Sequence, residues 1–119
     1  RIATPASIRP DGKTALVFGP YADLPPGKYR AEFILKTDRT ERAERVATVD
    51  VFTHKDGYPR ATREVLGTEF AAADRYQPFA IEFESDKPLE DLEYRAQYGG
   101  VGTLGLDAVR VTPVELWLR

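Results

Sequence analysis

The side chains of this sequence that could do chemistry are few, and most of them point away from catalysis. There is one histidine, His54, and no cysteine. A zinc site would need His54 together with several carboxylates, and no HExxH-type spacing supplies them. The two serines, Ser7 and Ser85, fall in an N-terminal arm and in a turn, and neither occupies a GxSxG elbow. Gly99-Gly100-Val101-Gly102 has the glycine content of a phosphate cradle, but no helix follows to aim its N-terminus at an anion, so it reads as a flexible hairpin connection. Glu82 and Glu93 lie on the polar faces of two candidate neighbouring strands, the kind of carboxylate pair that acid–base chemistry uses. Arg30, Arg95 and Gln97 project from the same kind of face, however, and a charged outer sheet surface explains all five more simply. The expectation is a chain that is not an enzyme.

Aromatic residues are the more informative class. Six tyrosines, six phenylalanines and Trp117 are present. Tyr29, Phe33, Phe79, Phe83 and Tyr94 follow the core pattern and read as packing residues. Tyr21, Phe52, Tyr58, Tyr76 and Tyr98 do not, because they fall in loops, at strand ends or among polar neighbours. Rings mixed with Asp, Glu, Arg and Gln suit a carbohydrate, whose apolar faces stack on aromatics while its hydroxyls bond polar groups. The same rings would serve equally to cover the ends of a sandwich.

The elements that must position these residues are strands. Leu92, Tyr94, Ala96 and Tyr98 alternate with Glu93, Arg95 and Gln97, the period of a half-buried strand. Thr103 to Val111 follows, and its apolar face switches between Leu106 and Val109, which requires a bulge with Asp107 at the irregularity. Upstream, Arg1 to Gly12 reads as an arm, Lys13 to Phe18 as a short strand, and Tyr21 to Gly27 as a proline-stiffened linker. Strands are predicted over Lys28 to Leu35, Arg45 to Thr53 and Tyr76 to Ser85, with a weaker one from Arg63 to Phe70 interrupted by Gly67. Lys36 to Arg45 is nearly all charged and should be the most exposed loop, while His54 to Gly57 is a turn. Tyr29, Phe33, Val49, Val51, Phe79, Ile81, Phe83, Leu92, Tyr94 and Leu106 should be buried together. About seven strands without a helix-period segment predict an all-β chain, an antiparallel β-sandwich, and the bulge and the arm favour a jelly roll over an immunoglobulin-like order.

Composition bounds the partners. The 119 residues carry 17 basic and 19 acidic side chains, a net charge of −2, so neither nucleic acid nor an anionic membrane surface is an expected partner. No apolar run approaches the roughly 18 residues of a membrane span. Residues 1–119 fit a single module, and the start at Arg1, with neither a start residue nor a signal segment, reads as an excision from a larger multidomain protein.

Several segments carry a resemblance: Phe18-Gly19-Pro20-Tyr21, Leu24-Pro25-Pro26-Gly27-Lys28-Tyr29, Val46 to Val51, Tyr76-Gln77-Pro78-Phe79, Leu92-Glu93-Tyr94-Arg95, and Leu104 to Val111. Together they resemble the small carbohydrate-binding β-sandwich modules, of jelly-roll or galactose-binding-like type, that accompany bacterial glycosyltransferases and other sugar-active enzymes. The resemblance implies a non-catalytic module that binds a glycan or oligosaccharide and packs beside the domains of a parent enzyme. It also implies a structural calcium held in part by Asp107, although the first strands lack an acidic cluster to complete its ligands. The polar set that alternates with the core, namely Arg30, Glu32, Asp50, Phe52, Glu82, Glu93, Arg95 and Gln97, is the expected ligand face if its strands share one sheet. The rival expectation is an interaction or spacer domain that uses its exposed aromatics against its parent enzyme or a second copy. A stand-alone hydrolase is a third.

Overall fold

A computed structural model gives the fold; it describes residues 6–8, 15–21 and 23–117, with side chains at Leu16 and over 23–117. The Tyr21 side chain, expected in the aromatic set, and Ser7 lie outside the described side chains. Eight strands are present: β1 (Ala6–Ile8), β2 (Ala15–Tyr21), β3 (Gly27–Lys36), β4 (Arg45–Thr53), β5 (Tyr58–Leu66), β6 (Gln77–Ser85), β7 (Leu92–Tyr98) and β8 (Leu104–Leu116). They form two four-stranded antiparallel sheets, sheet A in the order β1-β8-β3-β6 and sheet B in the order β2-β7-β4-β5. This is the order of an eight-stranded jelly roll.

Local alternation explains the layers. In β3 the Tyr29, Ala31, Phe33 and Leu35 side chains are buried, while Arg30 is exposed and Glu32 partly so. All ten residues expected in the core are 7% exposed or less. Within sheet A Tyr29 stacks on Phe83 at 5.6 Å between centroids, and across the layers Phe83 meets Tyr94 of sheet B at 6.5 Å. Contacts of this kind add about 0.5–1.5 kcal/mol beyond area burial.

Four expectations are corrected. The arm contributes a strand, β1, which pairs Ala6–Ile8 with Leu104–Leu106 and raises the count from seven to eight. β7 and β8 are not a hairpin, because they belong to different sheets. The glycine-rich segment between them crosses from sheet B to sheet A, and the positive φ of Gly100 and Gly102 shapes that crossing. The strand placed over Arg63 to Phe70 lies instead over Tyr58–Leu66, followed by a short 3-10 turn at Gly67–Glu69. Gly67 is a close-approach residue: its N–H donates to Glu44 O at 2.9 Å, and a Cβ there would collide with the carbonyls of Arg39 and Arg42. Finally, β8 runs on to Leu116 rather than ending at Val111. The bulge expected at Asp107 is present, since Ile34 opposes Ala108 and Leu35 opposes Leu106, leaving Asp107 without a partner position.

β5 and β6 are the edge strands of the two sheets on the same side of the sandwich. Two arginines of β5 reach across that seam. Arg60 Nη2 donates to Glu84 O at 3.1 Å and Arg63 Nη1 to Ala80 O at 3.0 Å. These bonds occupy edge carbonyls of β6 that would otherwise invite strand pairing from another chain.

Candidate binding site

The fold divides the eight expected ligand residues between two surfaces. Arg30 and Glu32 on β3 and Glu82 on β6 project from the outer face of sheet A. Asp50 and Phe52 on β4, with Glu93, Arg95 and Gln97 on β7, project from the outer face of sheet B. The eight do not form one face, because β3 and β6 pair within sheet A while β4 and β7 pair within sheet B. For the same reason Glu82 and Glu93 are not neighbours and cannot act as a carboxylate pair.

The sheet A group is a solvated ion-pair surface. Glu82 accepts from Arg30 at 3.2 Å and lies 3.4 Å from Lys28 Nζ, contacts that hold its carboxyl below the usual range. Glu32 lies 3.8 Å from Arg110 on β8. Nothing in this pattern requires a ligand.

The sheet B group is organised differently. Asp50 stands directly opposite Arg95, and the guanidinium binds it at both oxygens, Nε to Oδ1 at 2.8 Å and Nη2 to Oδ2 at 2.9 Å. Although it projects from an outer face, Asp50 is only 3% exposed. The carboxylate's hydrogen bonds push the Arg95 guanidinium's pKa up from an already high value, so the guanidinium stays charged. The Arg95 guanidinium lies 4.1 Å from the centre of the Phe52 ring, within cation–π range. His54 meets the same ring edge-on at 5.2 Å, and its Nε2 lies 2.8 Å from Glu93 Oε2. Phe52 therefore has a structural role that its sequence position did not disclose: it supports the arginine that neutralises Asp50. His54 belongs to the cluster and was not in the expected set. The two-residue step from Asp50 to Phe52 on β4 and on to His54, just past the end of that strand, is the signal that would have found it. Gln97 is exposed, and its side chain makes no hydrogen bond among the described residues.

Tyr98, expected in an aromatic platform, turns instead to the crossover, where its hydroxyl donates to Gly102 O. Tyr76 packs under Lys36, whose ammonium lies 4.8 Å from the ring centre. Asp107 is half-buried at the bulge of sheet A. No group of three or more His, Cys, Asp or Glu side chains able to hold a metal exists among the described residues. No helix among the described residues is long and apolar enough to cross a membrane.

No protein-family model and no curated protein matches the chain, but solved structures do. One is the carbohydrate binding module CBM6cm-2 from Cellvibrio mixtus lichenase 5A in complex with cellotriose, with TM-score 0.55, 12% identity and coverage of 77% of this chain and 63% of that one. A CBM4 structure aligns with TM-score 0.58 and 18% identity over 95% of this chain and 77% of that one. The CBM22-1–GH10 modules of Clostridium thermocellum xylanase 10B, complexed with xylohexaose, align with TM-score 0.51 and 14% identity; the match covers 81% of this chain and 18% of that one. The chain thus has the antiparallel β-sandwich fold seen in carbohydrate-binding modules.

Proposed function

We propose that this chain is a non-catalytic carbohydrate-binding module whose ligand surface is the outer face of sheet B, around Asp50, Phe52, Glu93, Arg95 and Gln97. The observation that carries this is the Asp50–Arg95–Phe52 cluster: a rigid, mutually bonded polar and aromatic set on a surface where loose ion pairs would be ordinary. Preorganised donors and acceptors lower the ordering cost of binding a hydrated ligand. Glu93 and Gln97 supply acceptor and donor groups for hydroxyls, and the uncovered part of the Phe52 ring meets an apolar sugar face. Affinity on the order of millimolar to micromolar is expected of so small a site. The fold neighbours, two of them solved with cellotriose or xylohexaose, support a neutral oligosaccharide as the first ligand to try. The module would be appended to a sugar-active enzyme such as a glycosyltransferase and deliver it to its glycan.

A heteronuclear NMR titration with cellohexaose and xylohexaose, together with a glycan array, tests this. Shifts at Asp50, Phe52, Glu93, Arg95 and Gln97 are expected, with binding lost in Phe52→Ala and weakened in Gln97→Ala. If the intact domain gives no glycan response, or both variants bind as well as the parent, sheet B is not the site. One observation favours a second reading in that event: Val114 and Leu116, 50% and 45% exposed at the end of β8, offer an apolar edge for packing against a parent enzyme.

A further inference from the structure

We propose that the seam between β5 and β6 holds a second carbohydrate subsite, centred on Tyr58, that takes a neutral pyranose unit of a glycan chain. The inference rests on the carbohydrate reading above but on a separate set of residues. Tyr58 is 57% exposed, more than any other large hydrophobic side chain described, and its side chain makes no ring contact or hydrogen bond among the described residues. It walls an open depression of about 310 Å³ whose floor includes Phe83 and whose rim carries Lys28, Arg60, Glu82 and Glu84. That volume lies at the lower end of the roughly 300–1,000 Å³ typical of small-molecule sites.

The chemistry of the rim selects the ligand. Two cations and two carboxylates cancel, so neither a uronic acid nor an amino sugar is favoured over a neutral ring. Glu84 makes no ion pair among the described residues, while its backbone carbonyl is fixed by Arg60 at 3.1 Å. Its exposed carboxylate is able to accept from two adjacent hydroxyls. Lys28 has a single ion-pair contact, to Glu82 at 3.4 Å, and an ammonium has three donors. Tyr58 has little folding reason to sit where it does, since more than half of it faces water.

Position links the subsite to the sheet B face. Across sheet B, Glu93 of β7 opposes Phe52 of β4, and Phe52 opposes Pro59 of β5, with Tyr58 next to it opposite Thr53. Adjacent strands lie about 4.8 Å apart. A chain that crosses the strands over Phe52 meets Pro59 one strand further on, and by passing over the β5 edge there reaches Tyr58, which shares the face of Thr53, and the depression.

The titration that decides it uses cellohexaose and xylohexaose on the parent chain, on Tyr58→Ala and on Tyr58→Trp. Expected are amide shifts at residues 58–60 and 82–84, a roughly tenfold weaker Kd in Tyr58→Ala with an unchanged Tm, and retained binding in Tyr58→Trp. Shifts confined to residues 50–54 and 93–97, or an unchanged Kd in Tyr58→Ala, would overturn the seam subsite and leave the sheet B site standing. Shifts confined to the seam would do the reverse. A chain that binds polygalacturonate as tightly as cellohexaose overturns the assignment to a neutral sugar, and silence toward every glycan overturns both sites.

Discussion

Arg95 and Asp50 show what a single residue pair contributes here, and the magnitude is testable. Hydrogen bonds to charged groups contribute about 1.5–3 kcal/mol each way, and leaving a buried charge unpaired costs more than removing both partners. Because the Arg95 side chain is 22% exposed, water can relieve part of that cost. Asp50→Ala and Arg95→Ala are each expected to cost about 2–3 kcal/mol, and the double variant clearly less than their sum, by urea denaturation. A second residue-scale expectation concerns acid. Leu66 N–H donates to Glu69 Oε1 at 2.8 Å and Arg63 donates to the same carboxylate at 3.0 Å, so its pKa is held below the ordinary 4.5, chiefly by the Leu66 bond. A depressed carboxylate stabilises the fold above its unfolded value and stops doing so as pH falls through its lower folded value. Between about pH 4.5 and that value the parent should lose stability faster than Glu69→Gln, measured as Tm against pH. At this scale the sequence disclosed which side chains face outward. It did not disclose that Phe52 leans on Arg95, because a diagonal contact between two strands depends on their register.

The elements were legible wherever one face is apolar. Arg45–Thr53 and Leu92–Tyr98 match their expected spans because apolar and polar side chains alternate along most of each strand. β5 was displaced by several residues because its pattern is mostly exposed, as suits an edge strand. Its polar side chains act instead as cross-seam donors through Arg60 and Arg63, and Arg63 also lies 5.4 Å from the centre of the Phe79 ring. Gly67 read as an interruption of a strand, whereas it is where the 38–44 loop lies on the end of β5. Gly67→Ala should therefore cost about 3 kcal/mol, the upper part of the overpacking range, since the atoms it meets are backbone carbonyls that cannot swing aside. A thermal melt within a degree or two of the parent would show that the loop yields.

At the scale of the molecule, the sandwich could be inferred from strand number and turn spacing, but the assignment of strands to sheets could not. Alternation is a local property, and the jelly-roll order places β8 beside β3 and β7 beside β4, far apart in sequence. That is why eight residues of like pattern proved to lie on two opposite faces. The calcium implied by resemblance is also a whole-molecule question, because a bound ion stabilises only the folded state. At a hundredfold excess over its Kd it would add about 2.7 kcal/mol. With no three-ligand group among the described residues, a chelator is expected to leave Tm unchanged; a fall of several degrees that added calcium reverses would place an ion at Asp107. The final expectation is cooperativity. Phe33 is fully buried and Phe83 is 3% exposed, on adjacent strands of sheet A. Phe33→Ala or Phe83→Ala should each cost about 3–5 kcal/mol, a large share of the roughly 5–15 kcal/mol that holds a domain folded. Trp117, the only tryptophan, reports on the far end of the same sheet, where its backbone N–H donates to Pro26 O at 3.1 Å just past β8. Beyond Leu106, β8 has β3 as its only strand partner among the described residues, since β1 pairs only with residues 104–106. If the end of β8 is part of the cooperative unit, Trp117 fluorescence and far-UV circular dichroism will melt together in the parent and shift together in Phe33→Ala. A fluorescence transition that precedes the loss of strand signal would mean that β8 frays from Val111 onward before the sandwich opens.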